Sequence, residues 1–145
     1  MEKWKLYALA SAFFAGVTAV LAKAGLKTLS ADLGLVVRTA IILLLVTINV
    51  VAWNGVAAPA LAVRNAGSRA LAMLALSALA TALSWVCYYR AMKEGSVSFV
   101  ALVDKGSILV TLVLSVFFLG EAFTWRLALG ASLILAGLVV LLPAK

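Results

Sequence analysis

Residues 70–89 form a run of twenty residues without one charged side chain. As a helix, such a run rises about 30 Å, which matches the thickness of the hydrocarbon layer of a bilayer. Four other segments are similarly apolar, and the predicted spans cover about residues 5–27, 33–53, 70–91, 97–119 and 125–143. The sequence therefore predicts an all-α integral membrane protein, with five transmembrane helices in a single domain over residues 1–145.

The composition supports this fold class. Hydrophobic residues make up 66% of the chain and charged residues 12%, whereas soluble domains have about 45–50% and about 25% of these. A soluble fold with so few polar side chains could not cover its own surface.

The connections between the predicted spans are short, except for residues 54–69. That connection contains Asn54-Gly55, Pro59 and the Arg-Asn-Ala-Gly stretch at 64–67, which are residue types typical of turns. We expect a loop here, on the side of the membrane that holds the amino terminus.

The titratable residues argue against catalysis. The chain has no histidine and a single cysteine, Cys87, and none of its five acidic residues lies at helical spacing from another. We therefore predict no enzyme, no metal site and no cofactor. The chain has a net charge of +7 but no cluster of basic residues interleaved with aromatic residues. We therefore expect its basic residues to contact membrane lipid and not nucleic acid.

The basic residues flanking the spans are balanced between the two sides of the membrane. The amino-terminal side has Lys3, Lys5, Arg64, Arg69 and Arg126, and the other side has Lys23, Lys27, Arg90, Lys93 and Lys145. Because orientation follows an excess of lysine and arginine in cytoplasmic loops, this balance favours insertion in both orientations. Alternatively, Arg38 and Lys105 direct the second side inward, or a partner chain sets the orientation.

Three ionisable residues lie inside predicted spans, where each costs about 2.5–3.5 kcal/mol on insertion scales. Asp104 and Lys105 are neighbours, so their side chains diverge by about 100° on a helix and we expect each to need another partner. Arg38 enters the membrane from the same side at similar depth. One hypothesis is an Asp104–Arg38 contact; the other is a substrate- or ion-binding role for one of the three.

Polar residues follow helical spacing in two of the spans. Asp104, Ser107, Thr111 and Ser115 share one helix face, and Ser77, Thr81, Ser84 and Tyr88 share another. These stripes predict a polar cavity, and Trp85 and Tyr88 could stack on a planar or cationic ligand. Alternatively, the hydroxyl groups bond to their own backbone and let helices pack closely. Tyr89 is typical of an interfacial anchor, and Gly130 and Gly137 of close helix packing.

Several short motifs carry a family resemblance. The stretch Ala91-Met-Lys-Glu-Gly-Ser-Val-Ser-Phe-Val100, then Asp104-Lys-Gly-Ser107, then Phe118-Leu-Gly-Glu121, resembles the repeat of the EamA family in the drug/metabolite transporter superfamily. Lys23-Ala-Gly-Leu26 and Arg38-Thr39 are similar to its short, single-repeat members. The resemblance covers essentially the whole chain.

The resemblance implies a function and an assembly. Larger family members have ten spans in two inverted repeats, so one repeat implies pairing with a second, antiparallel copy. It further implies a multi-pass protein of the cell (inner) membrane, with a central cavity lined by the first, third and fourth spans. In the fourth span, Asp104-Lys105 stands where many members carry a proline.

We therefore expect a secondary transporter of a small metabolite or drug-like solute that works as an antiparallel homodimer. The alternatives are a non-transporting membrane assembly subunit or a component of a lipid-intermediate flippase. The candidate substrate-binding or gating residues are Asp104, Lys105, Arg38, Ser107, Thr111, Ser84, Trp85 and Tyr88.

Overall fold

A computed structural model describes residues 2–141, and these residues form α-helices and connections without any strand. The helices are α1 (Lys3–Gly25), α2 (Ala31–Asn54), α3 (Ala58–Asn65), α4 (Ser68–Glu94), α5 (Val97–Asp104), α6 (Ser107–Leu119) and α7 (Trp125–Leu141). The predicted all-α fold is therefore confirmed for this part of the chain.

Four helical segments within residues 2–141 are long and apolar enough to cross a membrane. They are α1, α2, α4 and the segment Val97–Leu119, which contains both α5 and α6. Helix α7 is also apolar but is described over 17 residues, and the predicted fifth span extends to residue 143, outside the described residues. The number of five spans stays a prediction.

Local sequence signals set several helix ends. The Ser30 hydroxyl accepts a hydrogen bond from the Leu33 amide at the start of α2, and Ser96 does the same for Phe99 at the start of α5. Thr124 accepts from Leu127 before α7. These are side-chain caps, which occupy amide groups that the first helical turn leaves without partners. Gly120 ends α6 with a left-handed φ of 66°, a conformation that glycine adopts at little cost.

The prediction of a loop over residues 54–69 is wrong in its centre, where α3 lies. Pro59 is the second residue of this eight-residue helix. A proline is tolerated in the first turn because its missing N–H would have no partner in the helix there. The turn signal is correct at Gly55, which ends α2 with φ 85°.

The helices belong to two compact units. Residues 22–94 form one, and the described residues before and after them form the other. In the first unit α2 packs along α4, and the buried side chains there are Leu26, Tyr89 and Met92. In the second unit α7 contacts α5 and α6.

The segment Val97–Leu119 is interrupted between α5 and α6. The amide groups of Lys105 and Gly106 donate to carbonyls three residues earlier, those of Leu102 and Val103, in place of the four-residue spacing of an α-helix. A Cβ atom on Gly106 would lie 3.2 Å from Leu138 Cδ1 of α7. The interruption therefore falls beside Asp104 and Lys105, where α7 packs closely.

Candidate functional site

The Arg38 side chain of α2 lies against two aromatic rings of α4. Its guanidinium carbon is 4.7 Å from the centre of the Trp85 ring and 5.7 Å from that of Tyr89. Both distances fall within the about 6 Å at which a cation is attracted to the face of an aromatic ring. Arg38 and Trp85 are half-buried and Tyr89 is 3% exposed. The Tyr89 ring packs against Arg38 within the helix pair, and its role as an interfacial anchor stays a prediction.

Arg38 remains at depth within this helix pair. It lies seven residues after Ala31, the first residue of α2, which corresponds to about 10 Å along the helix. Trp85 lies further than Tyr89 from Glu94, the last residue of α4. Since the guanidinium is nearer to Trp85, the deeper ring, it does not extend toward the helix ends as long basic side chains often do.

Within the first unit, residues 22–94, the donor groups of Arg38 have no protein acceptor. Its contacts there are the two ring faces, with no ion pair and no hydrogen bond. A guanidinium carries five N–H donors in its plane, and stacking on a ring uses the face of the group and not these edges. Arg38 can therefore bind a further acceptor.

An open cavity of about 450 Å³ lies beside this cluster, between α2 and α4, and most of the residues that line it are exposed. Trp85 lines it together with Leu35 and Thr39 of α2 and with residues of α4 that include Ser77 and Thr81. The Thr39 and Thr81 hydroxyls donate to the carbonyls of Leu35 and Ser77, at 2.8 and 2.9 Å. Their oxygens can still accept hydrogen bonds, so the cavity is apolar with a few polar positions.

The chain matches a known family over almost its full length. The profile of the EamA-like transporter family matches residues 2–142. The chain belongs to the EamA-like transporter family. This confirms the resemblance, and the short chain is consistent with a single-repeat EamA member.

One curated relative supports the same assignment for the EamA-like protein. It is described as "Uncharacterized transporter in cobO 3'region", from Sinorhizobium sp, and is 38% identical over 140 residues. The alignment covers 97% of this chain and 96% of the relative. No solved structure matches.

The other predicted residues of α4 lie apart from the cavity of the EamA-like protein. Ser84 is exposed, and it is not among the residues that line the cavity. The Tyr88 ring lies 6.3 Å from that of Tyr89, at 55° to it. The α4 stripe therefore divides, with Ser77 and Thr81 on the cavity and Ser84 and Tyr88 outside it.

Asp104 and Lys105 lie in the second unit and contact each other, with Lys105 Nζ 3.8 Å from Asp104 Oδ2. The expectation that these neighbours cannot neutralise each other is wrong. It assumed a continuous helix, whereas α5 ends at Asp104 and the long lysine side chain reaches back across the interruption. The Asp104–Arg38 contact stays a prediction.

The hydroxyl groups of α6 bond to their own backbone. Thr111 donates to the Ser107 carbonyl at 3.1 Å, and Ser115 donates to the Leu112 carbonyl at 3.2 Å. This is the structural role that competed with a polar cavity in the sequence interpretation. The role of Ser107 and Thr111 in the site stays a prediction.

Sequence reasoning missed a group of polar contacts at one end of the first unit. Lys23 Nζ lies 2.6 Å from the Met92 carbonyl, and Lys93 Nζ lies 2.9 Å from the Leu29 carbonyl. The signal was available, because Lys23 and Lys93 both fall in the last turn of a helix, where lysine binds unpaired carbonyl groups.

Proposed function

We propose that this EamA-like protein is a secondary transporter that moves a small organic solute across the cell (inner) membrane as an antiparallel homodimer. The observation that carries the proposal is the Arg38–Trp85 contact beside a cavity of about 450 Å³. Ligand pockets of about 300–1,000 Å³ hold small molecules. Ionisable residues within membrane helices are functional candidates by default.

The antiparallel pairing is supported by the length and the charge of the chain. A repeat with an odd number of spans inverts when it is duplicated within one chain, as in transporters built from inverted repeats, and two separate copies would reproduce that arrangement by pairing antiparallel. The basic residues are divided five against five between the two predicted sides, and such balance removes the bias that fixes one orientation.

The interruption between α5 and α6 supports a gate at Asp104 and Lys105. Broken helices at membrane depth place backbone groups and charged side chains along solute pathways. Here the Asp104–Lys105 pair adjoins the break, and Ser107 and Thr111 follow it in the first two turns of α6. If a conformational change within the second unit separates the pair, Asp104 loses its counter-ion and can take up a proton. We propose this as the step that couples transport to a proton gradient.

Transport by the purified chain alone tests the proposal. The protein would be reconstituted into liposomes and supplied with a panel of radiolabelled amino acids, aromatic carboxylates and quaternary ammonium compounds. We expect saturable counterflow of at least one solute, reduced in Trp85→Ala but not in Trp53→Ala, since Trp53 is 82% exposed. Folded protein that moves none of these solutes would contradict the proposal.

The same assay separates the alternatives. Counterflow that requires a second, different five-span chain would identify an assembly subunit. Movement of a long-chain lipid intermediate, without movement of any soluble solute, would identify a flippase component.

A further inference from the structure

We propose that Arg38 binds the oxyanion group of an otherwise apolar solute, so that the transported substrate is an organic anion such as a carboxylate, sulfonate or phosphate monoester. This inference rests on the proposed transport function and adds the chemical class of the substrate. It follows from the contacts of Arg38, the cavity beside it, and the partners of the neighbouring acidic residue.

The guanidinium group is held in place but not neutralised. The rings of Trp85 and Tyr89, at 4.7 and 5.7 Å from the guanidinium carbon, fix its position. Within the first unit, residues 22–94, no carboxylate pairs with it. A half-buried positive charge is stabilised by a nearby anion, and the planar donor edge of arginine binds two oxygens of an oxyanion at once.

The acidic residue that shares α2 with Arg38 is paired elsewhere. Asp32 accepts from Arg90 of α4, with an Oδ1–Nη2 distance of 3.3 Å. The arginine at the end of the helix pair therefore has a protein carboxylate, and the arginine further inside does not. This difference indicates that Arg38 is available to an anion from outside the chain.

The adjacent cavity suits the apolar body of such an anion. Trp85 contacts Arg38 and also lines the cavity. The cavity is otherwise lined mainly by aliphatic side chains, such as Leu35, Leu74 and Val86. An anion with its charged group at Arg38 could place its apolar part there. A neutral solute would leave the arginine donors unpaired, and a cationic solute would be repelled.

A lipid headgroup carries the same oxyanion chemistry, so the test must separate the two sources. The position of Arg38, about 10 Å along α2 from its start, favours a solute. The probes would be 1-naphthoate, 1-naphthalenesulfonate and 1-naphthyl phosphate, compared with 1-naphthamide and 1-naphthylmethylammonium. Binding of each to the full chain would be measured by calorimetry in nanodiscs of phosphatidylcholine and, separately, of phosphatidylglycerol.

We expect at least one of the three oxyanions to bind in phosphatidylcholine at least about tenfold more tightly than the amide, as for a hydrogen-bonded charge. Arg38→Gln should abolish this preference, Arg38→Lys should keep part of it, and Arg90→Gln, the matched arginine control, should leave it unchanged. Melting temperatures of all variants would establish that they are folded.

The inference is overturned if no oxyanion binds, if the amide or the ammonium compound binds as tightly, or if Arg38→Gln keeps the preference. If the only effect of Arg38→Gln is to remove a stabilisation of the protein by phosphatidylglycerol, then Arg38 binds lipid headgroups, and the inference is again overturned. Saturable counterflow of neutral or cationic solutes alone would overturn this inference while leaving the transport proposal intact. Absence of all counterflow would contradict both.

Discussion

The Lys23 side chain binds backbone carbonyls near Lys93, and the Lys93 side chain binds backbone carbonyls near Lys23. Lys23 donates to the carbonyl of Lys93 itself, at 3.2 Å, and Lys93 donates to the carbonyls of Leu26 and Leu29, which follow Lys23 in the chain. The Lys23 ammonium group thus occupies carbonyls that the end of α4 leaves without amide partners. The Lys93 ammonium group occupies carbonyls of the connection between α1 and α2. The two contacts join the end of α1 to the end of α4 within the first unit.

Replacing Lys93 by methionine should destabilise the protein. The change removes two charge-assisted hydrogen bonds while keeping the length of the side chain, so we expect the free energy of unfolding to fall by about 1–3 kcal/mol. Thermal unfolding in detergent micelles measures this. The matched control is Lys27→Met, since the Lys27 side chain makes no hydrogen bond to residues 2–141. Equal melting temperatures of the two variants would show that the Lys93 contacts contribute nothing.

Gly34→Ala should also be destabilising, although alanine is the better helix former. A Cβ atom on Gly34 would lie 2.6 Å from Leu26 Cδ2, and Leu26 is 2% exposed. Overpacking costs about 1–3 kcal/mol, against a gain of about 1 kcal/mol in helix propensity. In Gly16→Ala, where no such neighbour lies within 4 Å, the propensity gain should dominate. A higher melting temperature for Gly34→Ala than for Gly16→Ala would refute this account.

Asp104→Asn should remove the dependence of transport on a proton gradient. Asparagine keeps the size of the side chain but cannot exchange a proton, so solute counterflow should persist while uptake driven by a pH step is lost. The measurement is the initial uptake rate in liposomes at several imposed pH differences. Glu121→Gln, an exposed acid that precedes α7, is the control. A pH dependence equal to that of the unaltered protein would exclude Asp104 as the coupling group.

The membrane fold is largely accessible from the sequence, because long apolar runs have few alternatives to helices in a bilayer. Details that depend on one unusual residue are harder to predict. The short helix α3 lies within a stretch of turn-forming residues, and the interruption after Asp104 occurs in a segment whose apolar pattern is continuous. In the first place the composition favours a loop and the structure has a helix; in the second it favours a continuous helix and the structure has a break.

The candidate site shows a similar division. Arg38 and Trp85 are each conspicuous in the sequence, one as a charge within an apolar run and the other as an aromatic residue beside Tyr88 and Tyr89. Their contact was not predicted, because it depends on the register of α2 against α4. That register is marked by the Asp32–Arg90 contact, which pairs residues 58 positions apart in the chain.

The antiparallel dimer requires that a single sequence insert in both orientations, and labelling of the chain ends tests this most directly. One cysteine would be introduced at the amino terminus or at the carboxyl terminus, in a Cys87→Ala background because Cys87 is exposed. Intact cells would then be treated with a membrane-impermeant maleimide. We predict partial labelling at both ends, reaching completion after the cells are opened. Complete labelling at one end and none at the other would show a single fixed topology and contradict the antiparallel homodimer. Complete labelling at both ends, or none at either, would also show a single fixed topology and contradict it.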